Sequence, residues 1–307
     1  MDGGKNAKDV AGYNLRQLFV GSEGTLGIFT KILVKLIPKP MAKRTMLAYF
    51  PRMSQAAETV SAIIAAFIIP VTLEFLDQTT IRCVEEYARM GLPTDMEAIL
   101  LMETDGHPAA VEEEAAAMVA IAQRHGAVEV KMAQSAEEAT QMAAARRMAF
   151  PALARMRPTT LLEDITVPRS ELARVVERIR RIAQENDLLI GTFGHAGDGN
   201  LHPTLLIDER DEDEVRRMRR AFDAIVEAAI EFGGSITGEH GVGLLKKEHL
   251  PRQAGIPALE VMMRFREAMD PNHVLNPGKM FTLRPRCEGR LPTRREELEK
   301  ALEEASL

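Results

Sequence analysis

The sequence predicts an α+β fold: an antiparallel sheet of ferredoxin-like, split β-α-β type, covered by helices. Two observations carry that expectation. From residue 44 onward, short apolar runs alternate with longer amphipathic stretches, and the pattern recurs three times. Such a rhythm sets a helix between successive strands. The second is the stretch 211–232, charged on one side and apolar on the other, as expected of a helix lying on a sheet.

In chain order, 1–9 (MDGGKNAKD) reads as a loop and 21–27 (GSEGTLG) as a glycine-studded turn. Residues 28–36 (IFTKILVKL) alternate apolar and polar and are expected to form a strand. Pro38 and Pro40 mark a boundary, because proline cannot continue a ladder. The first repeat of the rhythm is a strand over 46–50, a helix over 54–67 and a strand over 71–76. The second is a strand over 99–103, a helix over 108–125 and a short strand over 128–131. The third is a strand over 161–167, a helix over 170–186 and a strand over 188–193. Beyond Phe281 the chain turns polar, and 294–306 reads as a solvated helix of mixed charge.

Composition excludes several classes of function. With 307 residues, 46% of them hydrophobic and 27% charged, the chain is globular and long enough for two cores. Its net charge of −6 and lack of a basic stripe argue against nucleic acid as a partner. The longest apolar run, 63–71, is too short to cross a bilayer and contains Pro70, and no signal peptide opens the chain. Cys83 and Cys287 form no CxxC pair, so neither a disulfide framework nor an iron–sulfur cluster is expected. The expected location is the cytoplasm.

Two loops could carry chemistry. In 191–203 (GTFGHAGDGNLHP), His195 and His202 flank a glycine-rich turn that can bring both imidazoles to one point. Neutral imidazole is a common ligand for zinc and similar ions, although a plain hairpin turn accounts for the same residues. In 233–243 (GGSITGEHGVG), Glu239 offers a carboxylate ligand and His240 a proton-transfer group. Two histidines and one carboxylate make a metal site with open positions for a substrate, whereas a simple connection needs the glycines only for backbone geometry. Arg146 and Arg147 lie among apolar residues, where one guanidinium can grip a carboxylate while the other stays on the surface. Glu74 faces one side of its strand, lining either a cavity or solvent. Asp198 is expected to cap its turn, and His107, His125, His249 and His273 to be structural or exposed.

The segments GHAGDGNLHP and GEHGVG, with DITVPRSEL before the second and DPNHVLNPGKMF after it, resemble the FAD-linked 2-hydroxyacid oxidase and dehydrogenase family. That family belongs to the vanillyl-alcohol-oxidase superfamily and includes glycolate oxidase flavoprotein subunits and D-lactate dehydrogenases. The resemblance spans residues 5–282. It implies the carboxyl-terminal remnant of a FAD-binding domain over 1–40, a substrate-binding cap domain over 41–282 and a polar tail over 283–307. It also implies FAD and a divalent metal, zinc or manganese, as cofactors. By the same resemblance His195, His202 and Glu239 match the metal ligands, His240 the catalytic base, and Arg146 the arginine that binds the substrate carboxylate, with Arg147 as the fallback. Gly21, Ser22, Gly24, Thr25, Gly27, Ile28 and Asn276 match the flavin-side segments, with Lys279 beside them. The implied reaction is oxidation of a small D-2-hydroxy acid to the 2-oxo acid. Thr204 and Leu162 stand where the hydroxyglutarate enzymes carry asparagine and lysine, which favours D-lactate or glycolate. The pyrophosphate loop of the family's FAD domain is not among these residues, so a FAD-half or iron–sulfur partner subunit is expected, with peripheral attachment at the inner membrane through that partner. The alternative is a stand-alone metal-binding or flavin-site-completing subunit without activity of its own.

Overall fold

The computed structural model describes residue 6, residue 8 and residues 10–281. The helix expected over 294–306 and Cys287 lie outside the described residues. The chain divides into two compact units, Pro38–Gly238 and Met1–Ile37 with Glu239–Leu307. A short helix, α1 (Leu15–Phe19), precedes the larger unit.

The larger unit opens with β1 (Ala42–Phe50), α2 (Met53–Ala65), β2 (Thr72–Asp77), α3 (Gln78–Ala88), β3 (Ala98–Gly106), α4 (Pro108–Arg124) and β4 (Glu129–Met132). These strands lie in the order β4-β1-β3-β2, all antiparallel, the split β-α-β arrangement with α3 added. The second half contributes α5 (Ala136–Arg147), α6 (Ala149–Ala154), β5 (Thr159–Leu162), β6 (Ile165–Thr166), α7 (Leu172–Glu185), β7 (Leu189–His195), β8 (Asn200–Ile207) and α8 (Glu212–Glu231). It extends the sheet through β2-β7-β8-β5, and β6 also pairs with β8. The single strand expected over 161–167 is therefore two strands, interrupted at Glu163 and Asp164, both of which are buried.

The sheet is buried on both faces because its strands are apolar at successive positions. Met46, Ala48 and Phe50 of β1 join a core with residues of α2, α4, α7 and α8. The alternate residues Leu47 and Tyr49 join a second core with residues of α3, α5 and α6. The helices begin where sequence chemistry starts them. Ser135 accepts from Glu138 N at 3.2 Å, and Asp211 from Asp213 N at 2.8 Å, ahead of three acidic residues in the first turn of α8. On α7 the apolar stripe Val175, Val176, Ile179 and Ile182 is buried.

Asp77 caps α3 by accepting from Thr80 N at 2.8 Å. Burial pushes its carboxyl up to about 6, although hydrogen bonds from Thr80 and Thr192 oppose the rise. A carboxyl with a folded pKa above its unfolded value penalises the fold when charged. That penalty is full above about pH 6 and fades as the pH falls toward the unfolded value of 3.8. Asp77→Asn keeps a capping acceptor, so it should raise the unfolding free energy at pH 8 by about 1–3 kcal/mol and change little at pH 4. Urea titrations of both proteins across that range check the sign; a gain that grows toward low pH overturns it.

In the smaller unit, α9 (Leu250–Ala254) and α10 (Ile256–Met269) follow the second glycine-rich loop. Arg266 of α10 is fully buried and donates to the carbonyls of Lys279, Leu275 and Asn276 at 2.9, 3.0 and 3.2 Å. Asp270 accepts from Val274 N and Leu275 N at 3.0 and 2.8 Å. These contacts shape the turn that carries Asn276. The strand expected over 28–36 is absent: the segment has no ladder, and Ile28, Ile32 and Leu36 are exposed. Alternation gives a segment strand-like side chains, but a strand needs a neighbour for its N–H and C=O groups. No described segment pairs with this one.

Candidate active site

Three neighbouring strands bring the chemistry to one face of the sheet. Glu74 on β2 lies directly across from His195 on β7, and Phe193 on β7 lies across from His202 on β8. Side chains two apart share a face, so His195 with Phe193 and His202 with Leu206 lie on the face of the α3, α5 and α6 core. The histidine rings meet edge to face with centroids 5.4 Å apart. The two imidazoles do converge, but His195 is the last residue of β7 and His202 lies within β8; only 196–199 form the turn between the strands.

Glycines in that hairpin admit close backbone approaches. A Cβ at Gly194 would lie 2.3 Å from the carbonyl oxygen of Asn200, and one at Gly199, at φ +75°, 2.0 Å from that of Val167. Gly194→Ala forces backbone apart at the hairpin and should cost about 2–3 kcal/mol of stability. Chemical denaturation measures it, and a loss below about 0.5 kcal/mol, the usual effect of a surface substitution, would contradict the packing.

Glu74 is the hub. One oxygen contacts His195 Nδ1 at 2.5 Å, and the other accepts from Arg146 Nε at 2.7 Å. The Arg146 guanidinium also lies over the Phe193 ring, 4.5 Å from its centroid. With Nε engaged and one face stacked, its terminal nitrogens keep the fork that grips a carboxylate. Arg147 is exposed and donates to Thr140 O at 2.9 Å on its own helix. Of the two adjacent arginines, Arg146 is the one the fold brings to the histidines.

Asp164, completely buried, forms the floor. It accepts from Asn200 Nδ2 at 2.6 Å, from Thr237 Oγ1 at 2.6 Å and from Gly238 N at 2.7 Å. The carboxylate thereby secures the residues immediately before Glu239, and Glu239 and His240 follow directly in the chain as the start of the smaller unit. His202 Nδ1 lies 3.3 Å from the Glu163 carbonyl and 3.9 Å from Asp164 Oδ1. Burial lowers its pKa; Asp164 and the Glu163 carbonyl pull it up, while His195 and Arg146 add to the lowering. The net effect keeps the ring neutral to lower pH. An acceptor oxygen faces Nδ1 of each histidine, so in a neutral ring the proton belongs there and Nε2 carries the lone pair. This is the arrangement in which an oxygen behind the ring orients an imidazole toward a metal, so the pair fits a divalent ion.

In the smaller unit, Ser22 and Thr25 of the GSEGTLG turn are buried, and Ser22 Oγ has no hydrogen-bond partner. Gly21 and Gly24 have φ of +75° and +68°, and Asn276 Nδ2 donates to Gly24 O at 2.9 Å. The turn therefore meets the Asn276 segment, while Gly27 is half-buried and Ile28 exposed. A buried hydroxyl left without a partner in a glycine-rich turn is consistent with a polar group of a cofactor docking there.

Residues 39–280 match the family described as FAD linked oxidases, C-terminal domain. The chain belongs to that family. It is 55% identical over 279 residues to glycolate oxidase subunit GlcD of Bacillus subtilis (strain 168), covering 91% of this chain and 59% of that protein. It is 40% identical over 284 residues to the subunit of the same name in Escherichia coli (strain K12), covering 92% and 57%. A mitochondrial D-lactate dehydrogenase [cytochrome] of Arabidopsis thaliana is 33% identical over 279 residues, with 89% of this chain and 48% of that protein covered. The chain thus spans about half to three-fifths of these relatives' lengths. Among solved structures, p-cresol methylhydroxylase with substrate bound superposes with a TM-score of 0.68 at 14% identity, covering 88% of this chain and 58% of that one. At that identity the likeness speaks for the fold.

As a FAD-linked oxidase C-terminal domain, the chain carries two polar residues whose part the sequence concealed. Asp164 lies in the middle of the strand expected over 161–167, and Asn200 looks like one more turn residue. Their pairing crosses 36 positions and emerges only when β8 lies beside β6. No helix among the described residues is long and apolar enough to cross a membrane.

Proposed function

We propose that this protein serves FAD-dependent oxidation of a small D-2-hydroxy acid, D-lactate or glycolate, to the 2-oxo acid. The single observation that carries the reading is Glu74 holding Arg146 and His195 together on one sheet face. A carboxylate-gripping group and a metal-ligating group are thereby oriented by one anchor. Arg146 would fork onto the substrate carboxylate. His195, His202 and Glu239 would hold a divalent ion, zinc or manganese, and His240 would take the proton of the C2 hydroxyl onto its imidazole. When bound, FAD supplies the acceptor for the C2 hydride and the ion supplies positive charge that favours the alkoxide. Gly21, Ser22, Gly24, Thr25, Gly27, Ile28 and Asn276 would lie on the flavin side. The relatives named glycolate oxidase subunits support assembly with a partner, an iron–sulfur or flavin-half subunit, and through it peripheral attachment to a membrane from the cytoplasm.

The test is turnover of D-lactate and glycolate by the flavin-loaded protein, before and after chelation. Activity should fall to background on complete metal removal and return with Mn²⁺ or Zn²⁺. Full turnover in metal-free protein would remove His195, His202 and Glu239 as ligands. Absence of turnover under every flavin and partner condition would favour the subunit without activity of its own.

A further inference from the structure

Two residues beyond His240 the backbone is held by a carboxylate. Val242 N donates to Glu23 Oε1 at 2.6 Å, and Gly243 N donates to Glu23 Oε2 at 2.8 Å. Glu23 reaches across 219 sequence positions from the centre of the GSEGTLG turn, and its own backbone sits at φ +50°, in the left-handed region. A residue with a side chain is uncommon there. Gly241 lies at φ +88°, and a Cβ on it would come within 2.7 Å of Glu23 Oε1. Glycine thus lets the loop close onto the carboxylate. The turn is held from a second direction by Asn276 Nδ2, which donates to Gly24 O at 2.9 Å, and the loop by Met280 N, which donates to Gly243 O at 2.9 Å. Arg266, behind Asn276, holds that residue's own carbonyl.

We infer that Glu23 is a positioning residue: its carboxylate locks the Glu239–His240 segment to the GSEGTLG turn, so that the proposed base and metal ligand keep a fixed place relative to the flavin-side turn. The inference rests on the roles given above to Glu239 and His240. Only a glutamate at this reach offers two acceptor oxygens to two adjacent N–H groups. Glutamine presents one acceptor and sets its amide N–H against a donor, and aspartate is one methylene short.

The test compares the full chain with E23Q and E23D by site-resolved amide exchange, Mn²⁺ titration and the NMR signals of the His240 ring. In E23Q, exchange at Val242 and Gly243 should quicken by about 10- to 100-fold, the cost of one lost charge-assisted bond, while the α10 amides stay unchanged and report an intact fold. Mn²⁺ affinity should weaken about tenfold, as when a residue supporting a metal ligand is removed. The His240 ring signals should shift or broaden, with E23D following E23Q. Faster exchange with unaltered Mn²⁺ affinity and unaltered His240 signals would show a plain loop tether and overturn the inference. Unaltered exchange would overturn the clamp itself. Should wild-type protein bind no Mn²⁺, the metal reading fails separately, and the His240 signals alone decide the role of Glu23.

Discussion

His240→Ala should lower kcat by about 10²- to 10⁴-fold, the range lost with a general base, while KM stays within a few-fold. The split follows from the division of labour in the proposed site. Binding rests on Arg146, whose orientation depends on Glu74 and Phe193 and not on His240. His240 acts on the hydroxyl proton, so its removal weakens an interaction made in the transition state and spares the ground state. Stopped-flow measurement of flavin reduction by D-lactate or glycolate isolates that step from reoxidation. An unaltered rate of reduction would remove His240 as the base.

Glu74→Ala should act on two quantities at once. It strips the oxygen at 2.5 Å from His195 Nδ1 and the oxygen at 2.7 Å that Arg146 Nε donates to. Loss of a carboxylate that orients a metal-ligating imidazole weakens metal affinity by about 10- to 100-fold. The released guanidinium also loses its aim, so KM for the hydroxy acid should rise in the same variant. Glu103 supplies the control. It is another carboxylate of this sheet, itself buried, accepting from Thr45 at 2.8 Å and Thr72 at 2.7 Å and pairing with Lys43 at 2.8 Å. Burial alone would raise its pKa, but the bonds from Lys43, Thr72 and Thr45 hold it below the usual carboxylate value. Glu103→Gln should change stability and leave metal affinity and KM alone. Equal effects of the two substitutions on Mn²⁺ titrations would mean that Glu74 is an ordinary structural acid.

The fold was legible where a pattern is local. The strands β1, β2, β3, β4 and β7 and the helices α2, α4, α7 and α8 follow from periodicities of two and 3.6 that each segment carries by itself. The 28–36 segment shows the limit of that reasoning: its alternation is as regular, yet it forms no ladder. Helix α3 starts at once from Asp77, so no loop in the sequence announces it. In the site, glycine and histidine density exposed the hairpin and the loop after Gly233. Glu74 had to stay undecided because its partners lie 72 and 121 positions away. Asp164 gave no signal at all, for a lone carboxylate declares its task only through the donors that surround it.

The ladder between β2 and β7 spans three pairs, Glu74↔His195, Phe75↔Gly194 and Leu76↔Phe193, and it is the seam where the β1–β4 half of the sheet meets the β5–β8 half. The first half closes through helix-bearing crossovers and the second through the β7–β8 hairpin and a longer return to β5, each over fewer residues than the seam, which must bring together positions more than a hundred residues apart, a slower event in a folding chain. Glu74 and His195 lie on that seam. A nascent or partly folded chain could form either half and still have no anchor for its imidazole or its guanidinium. The aim of His195 and of Arg146, both from the second half, is therefore set late, when the halves have joined and Glu74 of the first half reaches them.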